Sequence, residues 1–183
     1  MIVELFLGAA AAAGAPPEQR PLLTVLPAAL TETFDAFSER RRGVDAMPPP
    51  LAEAVTRGGP SKWYGANPAL AKQSRKGLWL IPGTDALCIY RRVDREGGTV
   101  GCIGSLKQAA EGFVTIGGIA PKDVVIGVVP KGVTSVRLTL QSGKSRTVAV
   151  RRNVFSVPAK PKPLRVRFTT ADGKPRVLSL KGS

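Results

Sequence analysis

VRLTLQSGKSRTVAV occupies residues 136–150, and VRFTTADGKPRVLSL occupies residues 166–180. The two stretches match without a gap at six residues, and each alternates apolar and polar side chains on either side of a Gly-Lys pair. Such alternation is typical of a half-buried strand, and two alternating runs around a glycine predict a β-hairpin. The repetition therefore predicts two antiparallel hairpins of the same design.

The spacing of the apolar residues predicts the length of each hairpin loop. Val136, Leu138 and Leu140 share a face with Val148 and Val150 only if the loop between them holds an odd number of residues. A three-residue loop meets this condition and places its glycine at the final, left-handed position of a type I turn with a G1 bulge. The predicted loops are Gln141-Ser142-Gly143 and Ala171-Asp172-Gly173.

The triplet Gly143-Lys144-Ser145 has the ending of a phosphate-binding loop, but the conditions of that motif are not met. Leu138 stands where the first glycine is required, and a strand pattern follows instead of a helix. In the second copy Pro175 replaces the hydroxyl residue that would bind magnesium. The sequence therefore predicts no nucleotide site at either hairpin.

Basic charge is concentrated in the same third of the chain. Residues 131–183 carry 13 basic side chains and 1 acidic one, in a protein with a net charge of +14. If the hairpins share a sheet, these charges would form one basic face, which would favour binding to polyanions. The alternative is a solvated basic face that only maintains solubility. Strand parity directs Arg137, Arg151, Arg165, Arg167 and Lys181 outward, and Lys144, Arg146, Lys174 and Arg176 cluster at the hairpin tips.

From residue 77 onward, short apolar runs alternate with Gly, Pro and Asp. This spacing predicts a mainly β fold, an antiparallel β-sandwich that is Ig-like in outline. The predicted organisation is a signal peptide or its remnant at 1–15, a helical and irregular region at 16–76 and the sandwich at 77–183. The predicted strands lie near 78–82, 86–93, 99–104, 113–117, 123–129, 135–141, 145–157, 164–170 and 175–180.

The region before the sandwich contains two predicted helices. A helix within 27–42 places Leu30, Phe34 and Phe37 on one face, which we expect to pack against the β domain and not in the groove of a partner. Three consecutive prolines end this helix, and a second short helix in 51–59 closes with two glycines.

The N-terminal stretch MIVELFLGAAAAAGA has the length and the small residues of a signal-peptide core. Glu4 stands where a signal peptide carries positive charge, so an alanine-rich N-terminal helix is the alternative. No run of eighteen apolar residues occurs, and the sequence therefore predicts no transmembrane span.

ALCIYRRVDREGGTVGCIG predicts a hairpin centred on Arg95. Folding the chain there places Cys88 directly opposite Cys102, at a Cα separation that a disulfide can bridge. A disulfide would indicate an oxidising, extracytoplasmic compartment, whereas two buried thiols would suit a reducing one.

Most catalytic chemistries are excluded by composition. The chain has no histidine, no CxxC motif and no GxSxG motif, which excludes His-based triads, the common metal-ligand sets and serine nucleophile elbows. Asp94 and Glu96 are the remaining candidates, as a carboxylate pair of a hydrolase. We expect a protein that is not an enzyme and that uses no metal or cofactor.

Three segments contain a set of short motifs. They are FDAFSERRRGVDAMPPPL (34–51), NPALAKQSRKGLWLIPGTDALCIY (67–90) and PKGVTSVRLTLQSGKSRTVAVRRNVFSV (130–157). The motifs are the spacing of Phe34, Phe37, Asp45 and Pro48, the two cysteines, and a Gly-Val-x-Ser-Val strand followed by Asn-Val-Phe. In these motifs the chain resembles a family of exported or membrane-anchored actinobacterial proteins. The resemblance implies export and the cysteine pair, and it transfers no functional residues because the family has no established activity.

These patterns together favour a non-enzymatic extracytoplasmic β-sandwich that contacts acidic cell-envelope polymers through its basic face. A cytoplasmic protein that binds nucleic acid non-specifically is the alternative. A carboxylate-based hydrolase is a more distant alternative.

Overall fold

The computed structural model describes residues 20–94, 97–117 and 123–180, so the predicted signal segment at 1–15 lies outside the described residues. The helices are α1 (Ala28–Thr33), α2 (Asp35–Ser38), α3 (Pro49–Arg57), α4 (Gly59–Tyr64) and α5 (Leu106–Ala110), with 3₁₀ turns at Gly43–Asp45 and Pro68–Leu70. The strands are β1 (Lys72–Arg75), β2 (Leu78–Gly83), β3 (Ala86–Arg92), β4 (Gly98–Ile103), β5 (Phe113–Gly117), β6 (Val124–Val128), β7 (Ser135–Leu140), β8 (Ser145–Ala149), β9 (Val154–Pro158), β10 (Pro163–Thr169) and β11 (Pro175–Ser179). Within these ranges, no helix combines the length and the apolar character that a membrane span requires.

The strands form antiparallel sheets, which confirms the predicted mainly β fold class. The cysteine sheet has the order β1-β2-β3-β4, the middle sheet β5-β6-β9 and the hairpin sheet β11-β10-β7-β8. An Ig-like outline implies two sheets, whereas the described residues form three. The third sheet arises because the chain leaves the hairpin sheet after β8 and joins the middle sheet as β9.

The middle sheet is buried on both faces. Ile126 and Val128 of β6 pack with Leu80 of the cysteine sheet in one core, which also contains side chains of α1 and α2. Val125 of the same strand packs with Leu138 of the hairpin sheet in a second core. Since successive side chains of a strand point to opposite faces, this one strand contributes to both cores.

Helices cover the other face of the cysteine sheet. Leu51 and Val55 of α3 pack there with Trp79 and Ile81 in a third core. The fold therefore has four layers, in the order α3 with α4, cysteine sheet, middle sheet and hairpin sheet. The outer face of the hairpin sheet is open to solvent, as its alternating burial shows.

The prediction of one continuous helix within residues 27–42 is wrong. The helix is broken into α1 and α2 at Phe34, whose φ of −128° and ψ of 121° are extended. The break is stabilised from outside, because the buried Asn153 side chain accepts a hydrogen bond from the Ala36 N–H at 2.9 Å, a donor that the start of a helix leaves unpaired. Leu30, Phe34 and Phe37 are buried against the strands, as predicted.

The second predicted helix is present as α3, which begins with two prolines and ends at Gly58. The short helices α4 and α5 are absent from the prediction. Both have fewer than seven residues, too few for a hydrophobic period to stand out in the sequence.

The predicted strands are present with one division and one addition. Residues 145–157 form two strands, β8 and β9, separated by a tight turn at Arg152 and Asn153, whose φ values are 46° and 67°. Arg151 and Val154 exchange two backbone hydrogen bonds across this β8–β9 turn, at 2.9 and 3.0 Å. Strand β1 is absent from the prediction, and it begins the cysteine sheet ahead of the predicted boundary at residue 77.

Both hairpin loops of the repeat have the predicted three residues. Gly143 and Gly173 have φ values of 77° and 80°, as the last position of a G1 bulge requires. The Leu140 N–H donates to the Lys144 carbonyl oxygen at 2.8 Å, and the equivalent bond closes the second loop at 3.0 Å. The hairpin prediction is therefore confirmed in both copies.

Candidate anion-binding face

A local pseudo-twofold axis relates the two hairpins. Each residue pair of the first hairpin recurs thirty residues later in the second. Where β7 and β10 meet as antiparallel neighbours, Arg137 pairs with Arg167, its own counterpart in the repeat. The axis that exchanges the two hairpins therefore passes between these two arginines.

The outer face of the hairpin sheet carries three exposed arginines, Arg137, Arg165 and Arg167, which we call the arginine face. The side chain of none of the three forms a hydrogen bond or ion pair with another residue in the described part of the chain. The four strands of this sheet contain no Asp or Glu. The positive potential of the arginine face is therefore not neutralised within its own sheet.

An open groove of about 570 Å³ crosses the arginine face. Arg137 and Arg167 both line it, which places the groove over the pseudo-twofold axis. Charged guanidinium groups and neutral hydroxyl groups are both donors to anionic oxygens. The hydroxyl residues of the lining are Thr134, Ser135, Thr147 and Thr169.

Arg146 and Arg176 are not members of the arginine face, although Arg176 also contributes to the lining of the groove. They pair with Leu138 and Phe168, whose side chains are buried, so they lie on the core-facing side of the hairpin sheet. Arg176 forms an ion pair with Glu111 at 2.7 Å. The prediction that these two arginines extend the basic surface is not met, because the two-residue period that buries Leu138 also turns its pairing partner inward.

The other predicted basic residues lie at the margins of the sheet. Lys144 and Lys174 are exposed beside the two hairpin loops, and Arg151 is exposed in the β8–β9 turn, next to the sheet and not within it. Lys181 lies outside the described residues. The predicted face of nine residues is therefore reduced to three that share one surface.

Asp172 neutralises part of the charge of its own loop. Its carboxylate lies 2.7 Å from the Lys174 ammonium group and accepts a hydrogen bond from the Thr170 hydroxyl at 2.5 Å. These two hydrogen bonds, the one from Lys174 first, lower the pKa of Asp172 to about 2. The positive charge of Lys174 at the second hairpin loop is therefore offset by the ionised Asp172 carboxylate beside it.

Cys88 and Cys102 form a disulfide, as the hairpin register predicts. The two residues are directly opposed on β3 and β4, with a Cα separation of 4.0 Å. Cys88 is buried and Cys102 is half-buried, on the face of the cysteine sheet that α3 covers. A disulfide of this kind is typical of proteins from oxidising compartments.

Of the two carboxylates considered for hydrolysis, Asp94 lies within the described residues and Glu96 does not. Asp94 accepts a hydrogen bond from the Gly97 N–H at 2.7 Å, within the turn between β3 and β4. Within the described ranges, no group of three His, Cys, Asp or Glu residues is placed to hold a metal ion.

A buried ionic cluster, absent from the prediction, joins the N-terminal region to the sheets. Asp45 is fully buried. Its carboxylate accepts hydrogen bonds from the Arg152 guanidinium at 2.9 Å, the Gln73 N–H at 3.0 Å and the Arg42 N–H at 2.8 Å. The Lys72 ammonium group lies 3.9 Å from the same carboxylate. The cluster therefore joins the 3₁₀ turn at Gly43–Asp45 to β1 and to the β8–β9 turn.

The electrostatics of this cluster favour an ionised Asp45. Burial raises the pKa of Asp45, but the hydrogen bonds from Arg152 and from two backbone N–H groups lower it by more, so that it lies below its ordinary value of 3.8. Burial lowers the pKa of Lys72, and the nearby Asp45 carboxylate opposes that change. In the sequence, the one sign of this role is the place of Asp45 in the spacing that carries the family resemblance.

No protein-family model, no curated protein and no solved structure matches this chain. The resemblance to exported actinobacterial proteins therefore stays a prediction, and the functional argument proceeds from the geometry of the arginine face.

Proposed function

We propose that the protein is a non-enzymatic binding module of an extracytoplasmic compartment, and that its arginine face contacts an acidic cell-envelope polymer. The observation that carries the proposal is the set of three exposed arginines on one surface whose strands contain no carboxylate. A surface of this kind attracts anions because its potential is not neutralised locally.

The spacing of the three arginines suits a chain of repeating anions. Arg165 and Arg167 are two residues apart on β10, which corresponds to about 7 Å along a strand. Arg167 and Arg137 are opposed across two strands, at a Cα separation of about 5 Å. A polymer with one charge every few ångströms can engage more than one arginine at once, and each added contact becomes intramolecular and so strengthens binding.

Two observations support the extracytoplasmic part of the proposal. The disulfide between β3 and β4 is of a type that persists in oxidising compartments. The arginine face also lacks the exposed aromatic rings on which proteins stack single-stranded bases, since Phe168, the aromatic residue of β10, faces the core. This composition supports a polymer without bases over the cytoplasmic alternative.

A triple glutamine variant tests the proposal. We expect it to lose retention on an acidic wall polymer at low salt, and the slope of log affinity against log salt to fall by about 2 units for three lost contacts. The control removes the same charge from exposed lysines in α4, the β1–β2 turn and α5. The face variant is Arg137→Gln, Arg165→Gln and Arg167→Gln, and the control is Lys62→Gln, Lys76→Gln and Lys107→Gln.

Retention that falls equally in both variants would show that net charge, and not the arginine face, is responsible. Salt-insensitive indifference of the unmodified protein to every acidic polymer would remove the proposal altogether. Detection of the protein inside the cell with free thiols would contradict the compartment.

A further inference from the structure

We infer that Arg137 and Arg167, the pair on the pseudo-twofold axis, form a site for one phosphoryl group, so that the polymer recognised by the arginine face carries phosphate esters. The inference rests on the proposed function for the existence of a polymer ligand. It goes beyond it by naming the anion and the two residues that select it.

The geometry of the pair differs from that of a general basic surface. Arg137 and Arg167 are equivalent by the repeat, directly opposed across β7 and β10, and both line the same groove. Two guanidinium groups therefore lie on neighbouring strands, on the same face of the sheet and in the lining of the same groove. Arg165 is paired with Thr139 and lacks a basic counterpart across the strands, so it does not belong to this site.

The presence of two guanidinium groups, each with forked N–H donors, favours a tetrahedral anion over a planar one. A carboxylate has two oxygens in one plane, and one guanidinium group in a bidentate pair occupies a lone pair of each, so that further donors must approach in that same plane. A phosphoryl group directs its oxygens tetrahedrally, so a second guanidinium group and a hydroxyl can bind without competing for the same lone pairs. Thr147, the pairing partner of Arg137, lines the groove and supplies such a hydroxyl.

The residues beside the arginine pair differ between the two hairpins, although the pseudo-twofold axis makes their positions equivalent. This difference suits a phosphate ester. The counterpart of Thr147 in the second hairpin is Val177, which pairs with Arg167 and is 55% exposed. The arginine pair is therefore flanked by a hydroxyl side chain on one side and by an apolar side chain on the other. A phosphate ester presents free oxygens on one side and a carbon substituent on the other, whereas inorganic phosphate presents oxygens on every side.

The opposed arginines give the proposal a second measurable consequence, in the thermal stability of the free protein. Like charges that are directly opposed on neighbouring strands repel, and no described residue neutralises either arginine. Arg167→Thr should therefore raise the melting temperature of the free protein and reduce the stabilisation that a phosphate polymer gives the wild type.

The decisive experiment compares two polymers of equal charge number, poly(glycerol phosphate) and polyglutamate. We expect the wild type to bind the phosphate polymer roughly tenfold more tightly, because each charge-assisted hydrogen bond contributes at that scale. The double variant Arg137→Lys/Arg167→Lys keeps the charge but loses the forked donors, so it should bind both polymers alike. Arg165→Lys is the matched control and should keep the preference. Thermal unfolding confirms that both variants are folded.

The outcomes separate this inference from the proposed function. Equal binding of both polymers by the wild type, or an equal loss of preference in Arg165→Lys, overturns the phosphoryl site and leaves the proposed function standing. Failure to bind either polymer overturns both. Single-stranded DNA has the same phosphodiester link with bases attached, and tighter binding to DNA than to poly(glycerol phosphate) would overturn the assignment to an envelope polymer.

Discussion

Replacement of Asp45 by Asn should destabilise the protein by about 3–5 kcal/mol, the usual cost of removing one partner from a buried ion pair. The side chain is fully buried, and Arg152 and Lys72 both lie against it. Asn can accept hydrogen bonds at one terminal atom only, so the Arg42 N–H would face an amide group that also donates. A loss of this size is a large part of the 5–15 kcal/mol that holds a typical domain folded.

The measurement is urea unfolding of the oxidised protein at pH 7, followed by tryptophan fluorescence. Glu53→Gln is the matched control, since it removes one carboxylate from an exposed ion pair with Arg57 and should cost less than about 1 kcal/mol. The double variant Asp45→Asn/Arg152→Gln should recover part of the loss, because it removes the unpaired cation with its partner. A cost below about 1 kcal/mol for Asp45→Asn would refute the reasoning.

The pH dependence gives an independent check. The pKa of Asp45 is lower in the folded protein than its ordinary value of 3.8. Its stabilising contribution is therefore complete above that ordinary value, and it is lost as the pH falls from there through the folded pKa. The difference in stability between the wild type and Asp45→Asn should accordingly shrink below pH 4 or so. A difference that stays constant down to pH 2 would contradict an ionised carboxylate in the cluster.

Three further predictions concern other parts of the fold. Reduction of the disulfide, which closes a loop with a sequence separation of 14, should cost about 3 kcal/mol in urea unfolding, and an unchanged midpoint would count against it. Gly127→Ala should destabilise by at least about 1–3 kcal/mol, because the added Cβ would overlap the Phe155 ring, whereas Gly43→Ala meets no atom within 4 Å and should be neutral; equal effects would contradict this packing. An NMR titration should give Asp172 a pKa of about 2, and Lys174→Gln should return it towards 3.8.

The strands were predictable because the alternation of apolar and polar residues that indicates a strand can be recognised within a few consecutive residues. The alternation in β7, β8, β10 and β11 fixed both hairpin loops, and the register around the β3–β4 turn fixed the cysteine pair. The division between β8 and β9 was not predictable in the same way. Arg152 and Asn153 stand between two strand-like runs, and their left-handed conformation is supported by contacts with distant residues such as Asp45 and Ala36.

The candidate site was predictable in its chemistry and only partly in its membership. The charge count indicated the sheet that carries the candidate site, and parity placed Arg137, Arg165 and Arg167 outward, as they lie in the structure. The pairing of Arg137 with Arg167 depends on which strands are neighbours, which a single sequence does not state. Proximity to a hairpin tip predicts that Arg146 belongs to the basic surface. The face on which its side chain lies is instead given by its pairing partner, the buried Leu138.

The position of the middle sheet between the two other sheets affects how cooperatively the protein unfolds. Removing the hairpin sheet would expose Val125 and Phe155 to water, and removing the cysteine sheet would expose Ile126 and Val128 on the opposite side of the same three strands. Neither neighbour can melt alone without uncovering an apolar sheet surface. We therefore expect the arginine face and the disulfide-bonded sheet to unfold as one cooperative unit, so that a destabilising change in either lowers the stability of both.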